Sequence, residues 1–207
     1  MNSIIKESFE RSMSYEAYRT LVKQLVDEHS NTGVNKTEEL ANFTKLNDRR
    51  MKRWDKTIKL SQEAEQRILG FKEKVTWLVI TESWCGDAAH VLPALYKVAS
   101  LSDNIDFKVV IRDENLQLMD QYLTNGSAAI PKVIVIDDET GDVLNTYGPR
   151  PSEAANYVKR FLAKNGKLTP AFKADLQHWY NDNKGQNVIE DVTQLLAKLQ
   201  TNVCPQT

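Results

Sequence analysis

The sequence predicts an α/β protein, and three observations carry the prediction. First, Trp77-Leu78-Val79-Ile80, Phe107-Lys108-Val109-Val110-Ile111 and Lys132-Val133-Ile134-Val135-Ile136 are short, nearly continuous apolar runs. That is the pattern of strands covered on both faces. Second, a stretch with helical spacing follows the first run and separates it from the second. Third, longer helical patterns flank this core on both sides. The chain therefore divides into a helical N-terminal extension over residues 1–72, a core over 73–165 and a helical C-terminal extension over 166–207, expected to form one compact unit.

The N-terminal extension reads as several helices. Ser14 is a candidate N-cap, with Glu16 in the first turn and Tyr18, Leu21, Val22, Leu25 and Val26 at helical spacing. Asn31-Thr32-Gly33 breaks that pattern. A second helix is expected from near Thr37, carrying Leu40, Phe43, Met51, Trp54 and Ile58 on its apolar side, with Asn47-Asp48 as a candidate interruption. Ser61 is a candidate cap for a third helix, ended by Gly70. Each piece has one apolar side and must pack on something, the core or a second subunit. Lys45, Arg49, Arg50, Lys52, Arg53, Lys56 and Lys59 make a locally basic stretch interleaved with Asp48 and Asp55. It reads as a solvated helix face, with a docking site for an acidic partner or phosphate as the alternative.

In the core, Val75 to Ile80 is a strand and Asp87 to about Ser100 a helix. Phe107 to Ile111 is the second strand, and a short helix is expected around Leu116 to Leu123. Lys132 to Ile136 and Val143 to Tyr147 make a hairpin. After Pro149-Arg150-Pro151, Ser152 is the candidate cap of a helix through Phe161, closed by Asn165-Gly166. Thr169-Pro170 opens another helix, with Phe172, Leu176 and Trp179 inward and Gly185 at its end. Ile189, Val192, Leu195, Leu196 and Leu199 define a last amphipathic helix, and Thr201 to Thr207 reads as a loose tail.

The composition is that of an ordinary globular chain, with 41% hydrophobic and 27% charged residues among 207. A net charge of −1 gives no reason to expect nucleic acid or an anionic membrane as partner. No apolar run approaches a membrane span. The N-terminal segment lacks the apolar stretch of a signal peptide. Cys85 and Cys204, the two cysteines, stand far apart, which fits a reducing compartment. A cytoplasmic protein is expected. Three scattered histidines and two distant cysteines give no metal-ligand spacing, so no metal site is expected.

The residues between the first strand and its helix carry the chemistry. In Thr81-Glu82-Ser83-Trp84-Cys85-Gly86-Asp87-Ala88 a cysteine stands where a strand turns into a helix. Unpaired amides and the positive end of the helix dipole favour a thiolate there. Asp87 acts against it, since a second anion raises a thiol pKa. The competing reading is a buried, inert cysteine. Trp84-Cys85-Gly86-Asp87-Ala88 resembles the Trp-Cys-Gly-Pro-Cys active site of the thioredoxin family. Four further features fall in order: Pro93 eight residues after Cys85, Ile130-Pro131 before a strand, Glu139-Thr140-Gly141-Asp142 as a hairpin turn, and Gly148 in the following loop. The resemblance covers roughly Val75 to Lys164 and implies a thioredoxin-like fold, with a central mixed sheet and the helical extensions added at both termini.

The departures shape the chemistry. Ala88 stands in place of the family's second cysteine, Asp87 in place of its proline, and Val79 in place of its buried aspartate. The chain thus resembles a branch with a single active-site cysteine. The resemblance implies thiol–disulfide exchange by a monothiol mechanism through Cys85, resolved by an outside thiol as in monothiol glutaredoxins, or by Cys204 should the tail fold back. It implies a substrate-binding surface of Trp84, Gly86, Asp87, Ala88, Ile130, Pro131, Gly148 and Arg150, with a cis Ile130-Pro131 bond facing Cys85. Arg150, held between prolines, is expected near Cys85 or Asp87, with a surface arginine as the alternative. No cofactor is expected, and a low-molecular-weight thiol is the candidate co-substrate. The partners expected are protein or small-molecule thiols and disulfides. Two rival readings use the same surface: a redox-inactive binding module, and a homodimeric structural protein. The oligomeric state stays open. Glu82 is expected as an exposed acid at a strand end, with a proton carrier as the alternative, and His90 on a different face from Cys85, with no catalytic role. His29 and His178 are expected at the surface or its boundary.

Overall fold

The computed structural model describes residues 2–203 of the chain. Cys204 and the rest of the expected tail beyond Val203 lie outside the described residues. The polypeptide opens with α1 (Ser3–Glu10), β1 (Met13–Ser14) and α2 (Tyr15–Asp27), followed by α3 (Glu38–Thr57) and α4 (Gln62–Leu69). The core follows as β2 (Val75–Thr81), α5 (Ala88–Ala99), β3 (Ile105–Ile111), α6 (Leu116–Gln121), β4 (Lys132–Asp137) and β5 (Val143–Tyr147). It ends with α7 (Ser152–Asn165), α8 (Pro170–Asn183) and α9 (Gln186–Val203).

The caps explain where the helices start. Side-chain oxygens of Ser14, Thr37, Ser61 and Thr169 each accept a hydrogen bond from a first-turn amide. Four expectations are corrected. Asn47-Asp48 does not interrupt α3: Asn47 is fully buried and its amide donates to the Ser83 carbonyl at 2.9 Å. Phe43 points to solvent, and the inward stripe of α3 is Ala41, Thr44, Asn47, Met51 and Trp54. Ser152 is the first residue of α7 rather than its cap, and its hydroxyl donates to Asp191 at 2.7 Å. The helix α9 runs through Thr201 to Val203, where a loose tail was expected.

The five strands form one mixed sheet in the order β1-β3-β2-β4-β5. The pair β2/β3 is parallel, with Trp77 opposite Phe107. The pairs β1/β3, β2/β4 and β4/β5 are antiparallel. The short β1, within a segment expected to be wholly helical, makes the edge. All seven residues of β2 are buried, because helices cover both faces of the sheet. That is why its sequence lacks a polar alternation. The helix α5 packs between α3 and α9, so both terminal extensions close over the helix that begins at the cysteine.

Candidate active site around Cys85

The chain leaves β2 at Thr81, turns through Glu82-Ser83-Trp84 and enters α5 with Asp87 at the N-cap. Cys85 sits on that turn, its amide donating to the Glu82 carbonyl at 3.2 Å. Its thiol donates to the Ile130 carbonyl at 3.3 Å and accepts from the Ala88 amide at 3.5 Å. The Ile130-Pro131 bond is cis, so the segment before β4 lies across the thiol. Cys85 keeps only 9% of its surface exposed. Burial, and secondly the charge of Asp87, push the thiol up to about 12. The amides of Ala88 and Asp87 and the Arg150 guanidinium act the other way and do not prevail. The sequence set the helix N-terminus against Asp87 without deciding between them; burial, joined by Asp87, decides it.

A third loop completes the site. Arg150 Nη2 pairs with Asp87 Oδ2 at 2.7 Å, and Tyr180 of α8 donates to the other carboxylate oxygen at 2.9 Å. Arg150 is therefore held beside the cysteine turn rather than at the surface. Gly148, at φ 103°, backs onto the proline loop so closely that a Cβ there would lie 2.3 Å from the Pro131 carbonyl oxygen. Only glycine fits that approach. Gly86 has more room: a Cβ would lie 3.7 Å from Arg50 Nη1 and 3.8 Å from Gln177 Nε2. Ala88 is buried in the first turn of α5. All the residues singled out in the sequence, Trp84 to Ala88, Ile130, Pro131, Gly148 and Arg150, thus meet at one end of the sheet.

The structure also brings to the site residues that the sequence placed elsewhere or did not single out. Glu82 is fully buried, not exposed. One carboxylate oxygen accepts from the Thr32 hydroxyl and the other from the Asp113 amide at 2.9 Å. Burial raises its pKa above the usual carboxylate range. Thr44 shares a 2.8 Å hydrogen bond with Ser83. Arg112, ion-paired to Asp113 at 2.8 Å, lies over the Trp84 ring at 4.9 Å. The helix break at Asn31-Thr32-Gly33 thus straps the cysteine turn: Gly33 packs so close to the Trp84 indole nitrogen that a Cβ would come within 2.8 Å. The available signal was Glu82 itself, a lone acid between an apolar strand and the cysteine turn. His90 takes its side-chain partners from α3 and α8. It is buried, accepts from Trp54 Nε1 at 2.9 Å, contacts Gln177 Oε1 at 2.9 Å and stacks on Tyr180 at 4.5 Å. Burial lowers its pKa to about 4. His29 and His178 are exposed. Among the described residues no group of three or more His, Cys, Asp or Glu side chains is placed to hold a metal ion. No described helix is long and apolar enough to cross a membrane.

A cysteine at a strand-to-helix turn, a cis-proline segment against its sulfur and a glycine loop behind that segment define a thioredoxin-fold protein. A profile of the thioredoxin family matches residues 33–165, and the chain belongs to that family. Two solved structures share the fold. One is an HIV epitope-scaffold with a TM-score of 0.56 and 20% identity, covering 90% of this chain and 99% of that one. The other is a protein of unknown function from Pseudomonas aeruginosa with a TM-score of 0.52 and 22% identity, covering the same shares, 90% and 99%. No curated protein matches the sequence.

Proposed function

We propose that this protein exchanges thiols and disulfides by a monothiol mechanism through Cys85. One observation carries the proposal: the Cys85 sulfur lies 3.3 Å from the Ile130 carbonyl, where a cysteine turn, a cis-proline segment and the Arg150 loop converge. Trp84, Gly86, Asp87 and Ala88 on one side, and Ile130, Pro131, Gly148 and Arg150 on the other, frame the approach to that sulfur. The Cys85 thiolate attacks a disulfide, forming one S–S bond as the old one breaks. The distal sulfur leaves with the electron pair and takes up a proton. A low-molecular-weight thiolate then attacks the mixed disulfide, restores Cys85 and carries the partner's sulfur away. Ala88 cannot resolve the intermediate, so the second thiol comes from outside. The spacing of Cys85 and Cys204 supports a reducing, cytoplasmic setting.

The test is alkylation of Cys85 across pH in a Cys204→Ser background, with capture of a mixed disulfide by a small aromatic disulfide. A rate that climbs steeply toward alkaline pH is expected, together with a mixed disulfide that Cys85→Ser abolishes. No mixed disulfide at any pH sinks the proposal. A second reading has an observation in its favour: burial and Asp87 hold the thiol protonated at neutral pH. Under it the same surface grips a partner without exchange, and partner binding survives Cys85→Ser.

A further inference from the structure

The geometry points to a carboxylate subsite beside Cys85, formed by Arg50 and Gln177, that selects a small carboxylate-bearing thiol as the resolving co-substrate. This inference rests on the monothiol reading and names the co-substrate it requires.

Two hydrogen-bond donors face Gly86, the residue after the cysteine. They are Arg50 Nη1 and Gln177 Nε2, within 3.7 and 3.8 Å of where a Gly86 Cβ would stand. The first comes from α3 and the second from α8, so both lie outside the core strands and helices. Each is fixed from behind. Asn47 donates to the Ser83 carbonyl at 2.9 Å, and its own side-chain oxygen accepts from Arg50 Nη1 at 3.0 Å. The guanidinium is thereby tied to the cysteine turn. On the other wall, Trp54 donates to His90 Nδ1, which leaves His90 Nε2 to donate to Gln177 Oε1 at 2.9 Å. With its oxygen committed, the Gln177 amide presents its NH₂ group to the site.

The pair has donors and a charge, and its one acceptor among the described residues, the Asn47 oxygen on Arg50 Nη1, is neutral. Arg150 is already committed to Asp87. Arg50 is half-buried and forms no ion pair among the described residues. Burial and the nearby Arg53 lower its pKa, the signature of an uncompensated cation. A carboxylate supplies what is missing, because it accepts from a guanidinium and an amide together. The pair stands beside Gly86, the residue that follows Cys85 in the chain, and Cys85 itself is buried. A carboxylate within a few bonds of a thiol suits that spacing.

Alkylation of Cys85 by iodoacetate and by iodoacetamide, in a Cys204→Ser background, separates charge recognition from thiol reactivity. Arg50→Gln should lower the iodoacetate-to-iodoacetamide rate ratio about tenfold, the loss of one charge-assisted contact. Arg50→Lys should restore part of it. An unchanged ratio overturns the subsite. The companion measurement is calorimetric binding of methylthiosuccinate, which cannot exchange, to Cys85→Ser with and without Arg50→Gln. Arg50-dependent binding to Cys85→Ser, together with a protein retaining Cys85 that forms no mixed disulfide at any pH, keeps the subsite and removes the exchange reading. Resolution of a mixed disulfide by mercaptosuccinate no faster than by 2-mercaptoethanol, with no methylthiosuccinate binding, removes the subsite and keeps exchange. Binding only by acidic peptides, with none by methylthiosuccinate, overturns the small-thiol assignment.

Discussion

Cys85 shows how two effects at one atom are weighed. A helix N-terminus offers an anion about 0.3–1 kcal/mol, rising to about 2 when partly buried. Full burial can move a pKa by about 3–5 units, at about 1.4 kcal/mol per unit. Burial therefore wins, and the thiol rises from 9.0 to about 12. Asp87 is the second cause of that rise, and Arg150 opposes it. Asp87→Asn should accordingly shift the alkylation profile of Cys85 to lower pH, and Arg150→Gln should shift it higher. An Asp87→Asn profile that stays in place or moves to higher pH would show that the carboxylate does not act on the thiol. Of the two groups that hold Asp87, one was legible in the sequence and the other was not. Arg150 was expected near the site from its place in the loop; Tyr180 lies 93 residues from Asp87 and only the packing of α8 brings them together.

At the scale of elements, α3, α5 and α8 meet at His90. Its folded pKa, about 4, lies below the ordinary 6.5. Between those values the unfolded chain holds a proton that the folded chain does not. The contribution of neutral His90 is therefore complete above about pH 6.5 and is lost as pH falls toward about 4, on the order of 3 kcal/mol over the window. Glu82, raised rather than lowered, acts in the opposite sense: its contribution is present at low pH and is lost as pH rises past its folded value. Urea denaturation at a series of pH values should show a stability slope that His90→Asn flattens. An unaltered slope would place the acid sensitivity elsewhere. The helix caps at Ser14, Thr37, Ser61 and Thr169 were legible in the sequence because a cap is a local event. The role of Asn47 was not, because its partner Ser83 is 36 residues away.

For the whole molecule, the terminal helices are part of the core. Val188, Ile189, Val192, Leu195, Leu196 and Leu199 of α9 are all buried. At about 1.5–3 kcal/mol each their burial rivals the entire net stability of a domain, about 5–15 kcal/mol. A chain ending at Gly185 should lose its cooperative unfolding transition and bind a hydrophobic dye. A truncated chain that melts with a sharp transition near the full-length value would show that the helix is an ornament.

What the sequence alone determined is everything written at short range or in a strong pattern. The continuous apolar runs named the strands, because a strand covered on both faces has no polar alternation to keep. The order of Cys85, Pro93, Pro131 and Gly148 named the family-like core, because those positions are fixed by turns and close backbone approaches. Tertiary structure alone decided the chemistry of the site. Whether Cys85 is charged, why Glu82 is buried, and which side chains stand beside Gly86 all depend on the helical extensions folding back over the cysteine turn. Desolvation and pairing act through space, and the elements that impose them here are distant in the chain.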